Sequence, residues 1–209
     1  MTKSNADSVN TVREKPLFVF DVDQTLLDAV EFSKADHRAY IPSLRAGLKD
    51  NFNAVDYGHG RDILIAPRPH LETLMNFLAE NQERFDVGIY SAASRDYLDT
   101  VLHKVAPWFL ANALFVWSAE HCYYYRLATW KLINNVSTEF GYPLDRIFIF
   151  DDLPYVEPLV CHIPVDPFLG VNDEQSKGDK ELLRLIKVMS KTCDGNSVAH
   201  TITTSTHQR

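Results

Sequence analysis

Residues 17–25 read LFVFDVDQT, in which four consecutive apolar side chains precede two carboxylates, Asp21 and Asp23. An apolar run of this length predicts a buried strand, and the two acids would leave the core where that strand ends. Two carboxylates a few ångströms apart raise the pKa of one of them unless a cation neutralises the pair. A hard ion that prefers oxygen ligands, such as Mg²⁺, suits that role. Taken by itself, the pair is equally compatible with two solvated aspartates in a turn.

Size and charge restrict the class of protein. The chain has 209 residues, 45% of them hydrophobic, which is enough for one good-sized core. The net charge of −7 argues against a nucleic-acid binder, which presents a basic face. The sequence has no apolar stretch of transmembrane length and nothing that resembles a signal peptide, so we expect a cytoplasmic protein without a transmembrane segment. The spacing of Cys122, Cys161 and Cys193 predicts free thiols in a reducing compartment.

Between its ends, the chain alternates apolar runs with helical patterns. Strands are predicted at residues 17–20, 87–90, 113–117, 147–150 and 160–165, and helices after Pro69, Ser94, Thr129 and Asp179. This order is typical of an α/β fold with a parallel sheet and helices on both faces. We assign residues 15–191 to this domain. The polar segments 1–14 and 192–209 are predicted to be flexible ends.

Chemically related side chains follow several of the predicted strands. They are Asp21, Asp23, Ser91, Asp151 and Asp152. Parallel sheets bind ligands beyond the carboxyl ends of their strands, so we expect these groups to share one cleft. Lys131 would join them from the first turn of the helix predicted after Thr129. Acids, a hydroxyl and an ammonium together would suit a phosphate group held against a divalent cation.

This set of motifs resembles the haloacid dehalogenase (HAD) superfamily of phosphatases. Its pattern is a strand ending in DxDx[TV], a strand ending in Ser or Thr, a lysine, and a strand ending in paired acids. All four occur in order here, within residues 16–190. The segments APRPH at 66–70 and IYSAAS at 89–94 are similar to the small C-terminal-domain and NLI-interacting-factor phosphatases. The resemblance implies a HAD-like Rossmannoid parallel sheet and hydrolysis of phosphomonoesters.

The resemblance also implies a role for four side chains. Asp21 would be the nucleophile and would form an aspartyl-phosphate. Asp23 would protonate the leaving oxygen and then activate water for hydrolysis. Ser91 would donate a hydrogen bond to the phosphoryl group. Lys131 would balance its charge and hold the nucleophile.

A magnesium site is implied in the same way. Mg²⁺ would bind the carboxylates of Asp21 and Asp151 and the backbone carbonyl of Asp23, and Asp152 would support that site. Phosphoryl transfer depends mainly on positioning and charge stabilisation, which such a site supplies.

Two features depart from the narrower group of phosphatases. Gln24 stands where that group usually has Glu. The separation between Lys131 and Asp151 is longer than we expect for that group, which makes Arg126 a rival for the role of the lysine. We favour Lys131 because the N-terminus of the helix predicted there would itself attract phosphate.

The sequence allows only a small cap over the site. Residues 26–66, which include Tyr40, Phe52 and Tyr57, are too few for a full enclosing domain, and they are equally compatible with a surface excursion that makes no substrate contact. An open site favours a phosphorylated protein over a small metabolite. Phosphotyrosine reaches farther than phosphoserine, and some superfamily members with little cap are tyrosine phosphatases, including bacterial effectors delivered into host cells. We therefore favour phosphotyrosine, and delivery into a host cell if the source is bacterial.

Two alternatives remain open, and the spacing of residues disfavours a third. A small-metabolite or nucleotide phosphatase would use the same residues. A non-catalytic binding module is disfavoured because such relatives usually lose an acid of the first motif, whereas Asp21 and Asp23 are both present. The dipeptide at 121–122 resembles the start of the cysteine-phosphatase signature HCx5R, but position 128 is Ala128 and Arg126 comes too early. We therefore predict that Cys122 is a structural thiol.

Overall fold

A five-stranded parallel sheet forms the centre of the computed structural model, which describes residues 13–33, 53–170 and 178–195. Strands and helices are numbered separately in chain order. In spatial order the strands of this central sheet are β11 (His162–Pro164), β9 (Ile147–Asp151), β1 (Leu17–Phe20), β5 (Asp86–Tyr90) and β6 (Phe115–Trp117). The predicted α/β fold with a parallel sheet is confirmed.

Helices cover both faces of this sheet. They are α1 (Leu71–Glu80), α2 (Arg95–Val105), α3 (Pro107–Asn112), α4 (Ile133–Phe140) and α5 (Glu181–Cys193). Side chains of α1, α2, α3 and α5 share one core cluster with Phe18 and Phe20, whereas α4 packs in a second cluster with Leu17 and Val19. All four β1 side chains are fully buried, and each contributes about 1.5–3 kcal/mol through burial. A central strand with helices on both sides therefore requires the continuous apolar run that the sequence shows.

Two smaller sheets flank the central one. The segment between β1 and α1 forms an antiparallel sheet in the order β2-β4-β3, with β2 (Leu27–Ser33), β3 (Asn53–Gly58) and β4 (Arg61–Pro67). This sheet is the small insert predicted at 26–66, and Tyr40 and Phe52 lie outside the described residues. The second small sheet has the order β10-β8-β7, with β7 (Tyr123–Tyr125), β8 (Ala128–Leu132) and β10 (Val156–Glu157).

The helix boundaries follow from local signals in most cases. The Ser94 hydroxyl caps α2 by accepting a hydrogen bond from the Tyr97 amide at 3.4 Å. Gly141 ends α4 in the left-handed region at a φ of 73°. The Asp179 carboxylate accepts a hydrogen bond from the Glu181 amide at 2.9 Å and opens α5.

Several boundaries differ from the prediction. The strand predicted at 160–165 covers only His162–Pro164, because Leu159–Cys161 forms a short 3₁₀ helix. The strand predicted at 113–117 begins at Phe115, because Pro107–Asn112 forms a short helix with Pro at its first position. The helix predicted after Thr129 begins only at Ile133. Helix α5 continues to Cys193, past residue 192, where the flexible tail was predicted to begin. Residues 1–12 and 196–209 of the predicted tails lie outside the described residues. Within the described ranges, no helix combines the length and apolar character needed to span a bilayer.

Candidate active site

The acids and the serine predicted to share a cleft meet at the carboxyl edge of the central sheet. The Asp21 amide donates to the Phe150 carbonyl at 2.9 Å, so the pairing of β1 with β9 extends one residue beyond β1. On the other side of β1, Ser91 directly follows β5. A cavity of about 310 Å³ opens at this edge. Its lining residues are Asp21, Asp23, Gln24, Ser91, Ala92, Ala93, Thr129, Lys131, Asp151, Asp152, Leu153 and Tyr155.

Lys131 reaches this cavity from a strand and not from a helix, which corrects the prediction. Its amide donates to the Tyr155 carbonyl at 2.8 Å, and it pairs with Val156 of the parallel strand β10. Thr129, predicted as a helix cap, pairs instead with Tyr124 across the β7–β8 hairpin. The backbone of residues 128–132 is thus committed to the small sheet, and the helix begins once this pairing ends. The proposed attraction of phosphate by a helix N-terminus at Lys131 is therefore wrong.

The ammonium of Lys131 lies between two carboxylates. Its Nζ donates to Asp21 Oδ1 and, at 2.6 Å, to Asp151 Oδ2. All three residues are buried, with 4%, 6% and 3% of their surface exposed for Lys131, Asp21 and Asp151. The rival residue Arg126 is exposed in the hairpin turn, where its guanidinium lies over the Tyr125 ring at 5.2 Å. The structure thus brings Lys131, and not Arg126, to the acids.

Burial and the charge of the ion-pair partner have opposite effects on the pKa values of Asp21 and Lys131. Burial raises the pKa of Asp21, and the neighbouring Asp151 adds to that effect, whereas Lys131 opposes it. Burial alone would lower the pKa of Lys131, but the two carboxylates outweigh burial and raise it. Because two acceptors surround the ammonium, the charged form of Lys131 is the state that this geometry stabilises.

Asp23 lies two residues after Asp21 on the same loop and is half-buried. Its Oδ1 accepts a hydrogen bond from the hydroxyl of Tyr97, in the first turn of α2. Burial raises the pKa of Asp23, although Tyr97 and Lys131 act in the opposite direction. Burial and the Asp23 carboxylate raise the pKa of Tyr97, so the phenol keeps its proton and is the donor. In the sequence, Tyr97 falls on one apolar stripe with Leu98, Val101, Leu102 and Val105, a pattern that indicates only a core role.

The acids can hold a cation. One carboxylate oxygen from each of Asp21, Asp151 and Asp152 lies within 4.8 Å of the others. Burial, followed by the charge of Asp151, raises the pKa of Asp152 to about 6. Lys131 is the only basic side chain among the described residues that line the cavity. The acids therefore outnumber the cations, and an oxygen-preferring divalent ion fits the donor set.

Ser91 is 1% exposed and lines the cavity. Its Oγ accepts a hydrogen bond from the Ala93 amide at 3.1 Å, which fixes the hydroxyl oxygen. The backbone of Ser91 continues the sheet, because its amide donates to the Trp117 carbonyl at 3.0 Å. The residue is thus held as a rigid hydroxyl at the wall of the cavity.

Arg68 stabilises the loop that carries Asp23, a role that sequence reasoning missed. Its guanidinium is 1% exposed and donates at 3.2 Å to the carbonyls of Gln24 and Thr25. It also donates at 2.7 Å to the Asp166 carbonyl and to an oxygen of Asp179. Gln24 has a φ of 58°, a left-handed conformation that costs free energy for a residue with a side chain. The buried guanidinium therefore holds a strained loop in place.

Cys122 lies close to the site without lining the cavity. Its Sγ donates to the backbone carbonyls of Ser91 at 3.6 Å and Ser118 at 3.8 Å. Burial raises the pKa of this thiol, whereas a nucleophilic cysteine needs a lowered pKa. The structure is consistent with the predicted structural role.

Comparisons with known proteins agree on one family. The sequence pattern of the NLI interacting factor-like phosphatases matches residues 16–199. The chain is 28% identical over 202 residues to the putative CTD phosphatase-like protein 355R of Invertebrate iridescent virus 3, an alignment that covers 84% of this chain and 96% of that protein.

Two solved structures have a similar fold. One is the structure of Fcp1, an essential RNA polymerase II CTD phosphatase, with a TM-score of 0.60 and 18% identity over 87% of this chain and 63% of the other. The second is a fission yeast Fcp1 variant bound to beryllium fluoride, with a TM-score of 0.53 and 18% identity over 90% of this chain and 54% of the other. The chain thus spans less than two thirds of either Fcp1 chain, and the likeness concerns the fold.

Proposed function

Because this chain belongs to the NLI interacting factor-like phosphatase family, within the HAD superfamily, we propose that it is a Mg²⁺-dependent phosphatase that hydrolyses phosphorylated protein side chains through an aspartyl-phosphate on Asp21. The observation that carries the proposal is the buried ammonium of Lys131, held between Asp21 and Asp151 at the wall of an acidic cavity. Such an ammonium neutralises a nucleophilic carboxylate enough for a phosphate dianion to approach it.

In the first half-reaction, an Asp21 oxygen attacks phosphorus while the bond from phosphorus to the ester oxygen breaks. Protonated Asp23 gives its proton to that leaving oxygen, so the substrate departs as a neutral alcohol or phenol. Asp23 suits this role because burial raises its pKa, which favours the protonated form that an acid needs.

In the second half-reaction, water attacks the aspartyl-phosphate. The Asp23 carboxylate takes a proton from that water as its oxygen bonds to phosphorus and the bond to Asp21 breaks. Inorganic phosphate leaves, Asp21 is again a carboxylate, and Asp23 is again protonated, so the cycle is complete. One side chain thus serves as acid and then as base, as in other two-step hydrolases.

Two cavity residues would hold the phosphoryl group. Ser91 would donate the hydrogen of its fixed hydroxyl to a phosphoryl oxygen. Lys131 would offset the negative charge that the phosphoryl group brings to a site already rich in acids. Hydrogen bonds hold both groups in place without substrate, and such preorganisation is the condition for strong electrostatic stabilisation of a transition state.

Asp21, Asp151 and Asp152 would hold Mg²⁺, together with the backbone carbonyl of Asp23. When bound, the ion would supply Lewis-acid polarisation of the phosphoryl oxygens. The clustering of carboxylate oxygens within 4.8 Å supports this set of ligands.

The proposed substrate is a phosphorylated side chain on a protein, with phosphotyrosine preferred. The burial of Asp21, which is only 6% exposed, supports phosphotyrosine, because the phosphate of phosphotyrosine reaches farther from the backbone than that of phosphoserine. Leu153 and Tyr155 line the same cavity, although they are 51% and 38% exposed, and they offer apolar contact to an aromatic ring. The preference for phosphotyrosine over phosphoserine is the part of the proposal that kinetics must decide.

The test is a phosphate-release assay with Mg²⁺ on matched phosphotyrosine, phosphoserine and phosphothreonine peptides and on common phosphometabolites. Asp21→Asn should fold normally and release no phosphate, because an amide is a poor phosphoryl acceptor. Asp145→Asn, at an exposed position in the turn before β9, is the matched control and should retain activity. EDTA should stop turnover, and added Mg²⁺ should restore it.

A trapping experiment tests the intermediate separately. Quenching during turnover of radiolabelled substrate should leave label on the protein that is stable to acid, released by hydroxylamine and absent from Asp21→Asn. Metabolite turnover with inert peptides would refute the protein substrate. Phosphate release by Asp21→Asn would refute the nucleophile, and silence on every substrate would favour a binding module.

A further inference from the structure

We propose that Tyr97 is a positioning residue for the acid–base step, and that it acts by fixing one oxygen of the Asp23 carboxylate so that the other faces the substrate. This inference rests on the proposed function, because it requires Asp23 to be the general acid. It adds a residue of α2 to a site otherwise built from strand ends and a hairpin.

The first support is the geometry of the hydrogen bond. The Tyr97 hydroxyl donates to Asp23 Oδ1 across 74 positions of sequence. A carboxylate oxygen that already accepts a hydrogen bond from a phenol is a poor place for the acid proton. The acid proton of Asp23 would therefore reside on the other oxygen, which is the orientation that a directed proton transfer needs.

The second support is that Tyr97 is itself rigidly held. Its amide donates to the Ser94 hydroxyl, which caps α2, and its ring packs against the main core cluster. Helix α2 also packs against β3 and β4 of the insert. The phenol is thus anchored by the scaffold, so its hydroxyl can define where Asp23 lies.

The third support is that the loop around Asp23 needs such an anchor. Asp23 is followed by Gln24 in a left-handed conformation, and Arg68 holds only the backbone of this loop, through the carbonyls of Gln24 and Thr25. Among the hydrogen bonds found for the described residues, the Tyr97 hydroxyl is the donor to the side chain of Asp23. Removing it would leave the backbone in place and release the carboxylate.

The test uses leaving groups of different basicity. A general acid matters most when the leaving oxygen is strongly basic and least when it is a stable anion, as with p-nitrophenolate. We would measure kcat/KM for wild type and Tyr97→Phe on phenyl phosphates that differ only in their ring substituent, and on a phosphoserine peptide. The ratio kcat/KM covers only the steps up to departure of the leaving group, so the later hydrolysis does not enter.

The expected result is a steeper dependence on leaving-group basicity in Tyr97→Phe. General acid catalysis contributes about 10²–10⁴-fold, so partial loss of it should cost about 10–100-fold on the phosphoserine peptide and less than about 3-fold on p-nitrophenyl phosphate. Comparing substrates on one enzyme preparation cancels any change in the folded fraction, so reduced stability cannot produce this pattern.

Two variants sharpen the comparison. Asp23→Asn should show the same steep pattern, and adding Tyr97→Phe to it should change little further, because the phenol acts through the carboxylate. Tyr142→Phe removes another phenol that donates to a carboxylate, that of Asp86, at a site that does not line the cavity. Its leaving-group dependence should match wild type.

The outcomes separate this inference from the proposed function. A parallel drop on all substrates in Tyr97→Phe, with Asp21→Asn inactive, would overturn the positioning role alone. Full additivity of Tyr97→Phe and Asp23→Asn would do the same. Phosphate release by Asp21→Asn would overturn the proposed function and this inference with it.

Discussion

Replacing Lys131 by Met is expected to destabilise the protein as well as inactivate it. Methionine fills a similar volume but carries no charge, so Asp21 and Asp151 would remain buried at 6% and 3% exposure without the ammonium they now share. Removing one partner of a buried ion pair costs about 3–5 kcal/mol. We expect the lower end, about 3 kcal/mol, because the freed carboxylates can relax by taking up protons.

The magnitude converts into a measurable shift. For a domain of this size, 1 kcal/mol corresponds to about 2–4 °C, so the Tm of Lys131→Met should fall by about 6–12 °C. Thermal and urea unfolding in EDTA would measure the change. Lys187→Met, an exposed position on α5, is the control and should leave the Tm near that of wild type.

Added Mg²⁺ should reduce the difference in Tm between Lys131→Met and wild type, because a bound cation would replace part of the missing positive charge beside Asp21 and Asp151. Turnover should remain lost, because the ion does not restore the ammonium beside the phosphoryl group. Unchanged stability in EDTA, or phosphatase activity equal to wild type, would refute the reasoning that the ammonium neutralises the buried acids.

Three further substitutions probe other contacts. Cys122→Ser should leave turnover largely intact in steady-state kinetics, because the thiol does not line the cavity and donates to backbone carbonyls that a serine hydroxyl can also reach. Loss of activity in a folded variant would revive the cysteine mechanism. Gly88→Ala should lower the free energy of unfolding, measured in urea, by about 1–3 kcal/mol, because the added Cβ would lie 2.5 Å from Cζ of Phe115. A urea midpoint equal to that of wild type would contradict this. Arg68→Lys should lower the free energy of unfolding by about 2–3 kcal/mol, because the single ammonium of lysine cannot bind Asp179 and the loop carbonyls at the same time, as the guanidinium does. An unchanged value would mean that water replaces these hydrogen bonds.

Much of the fold could be predicted because a central parallel strand is buried on both faces. Such a strand needs an unbroken apolar run, and residues 17–20 and 147–150 each show one. The acids then follow at the carboxyl ends, so the sequence places Asp21 and Asp151 at one edge of a sheet before any coordinates are known.

The position of Lys131 shows where local signals fail. Thr129 is a good helix cap by composition, but residues 128–132 pair with β7 and β10 instead, through contacts such as Lys131 with Val156. Sheet pairing between segments distant in sequence satisfies the same backbone groups that a helix would satisfy, and here it prevails. Lys131 does line the cavity, but the helix that was predicted to carry it there begins only at Ile133.

The sequence by itself determined the order of strands and helices, the acids at the strand ends, and the family to which the chain belongs. Each of these depends on residue type and spacing along the chain. Only the tertiary structure decided that Lys131 reaches Asp21, that Tyr97 donates to Asp23, and that Arg68 holds the loop that follows Asp23. These contacts join residues 110, 74 and 44 positions apart, and they form only when the small sheet, helix α2 and the segment before α1 pack at the edge of the central sheet. Local propensity carries no information about such partners. A tyrosine in an apolar stripe, or an arginine before a proline, has the same local sequence pattern whether or not the fold places a carboxylate or a carbonyl beside it.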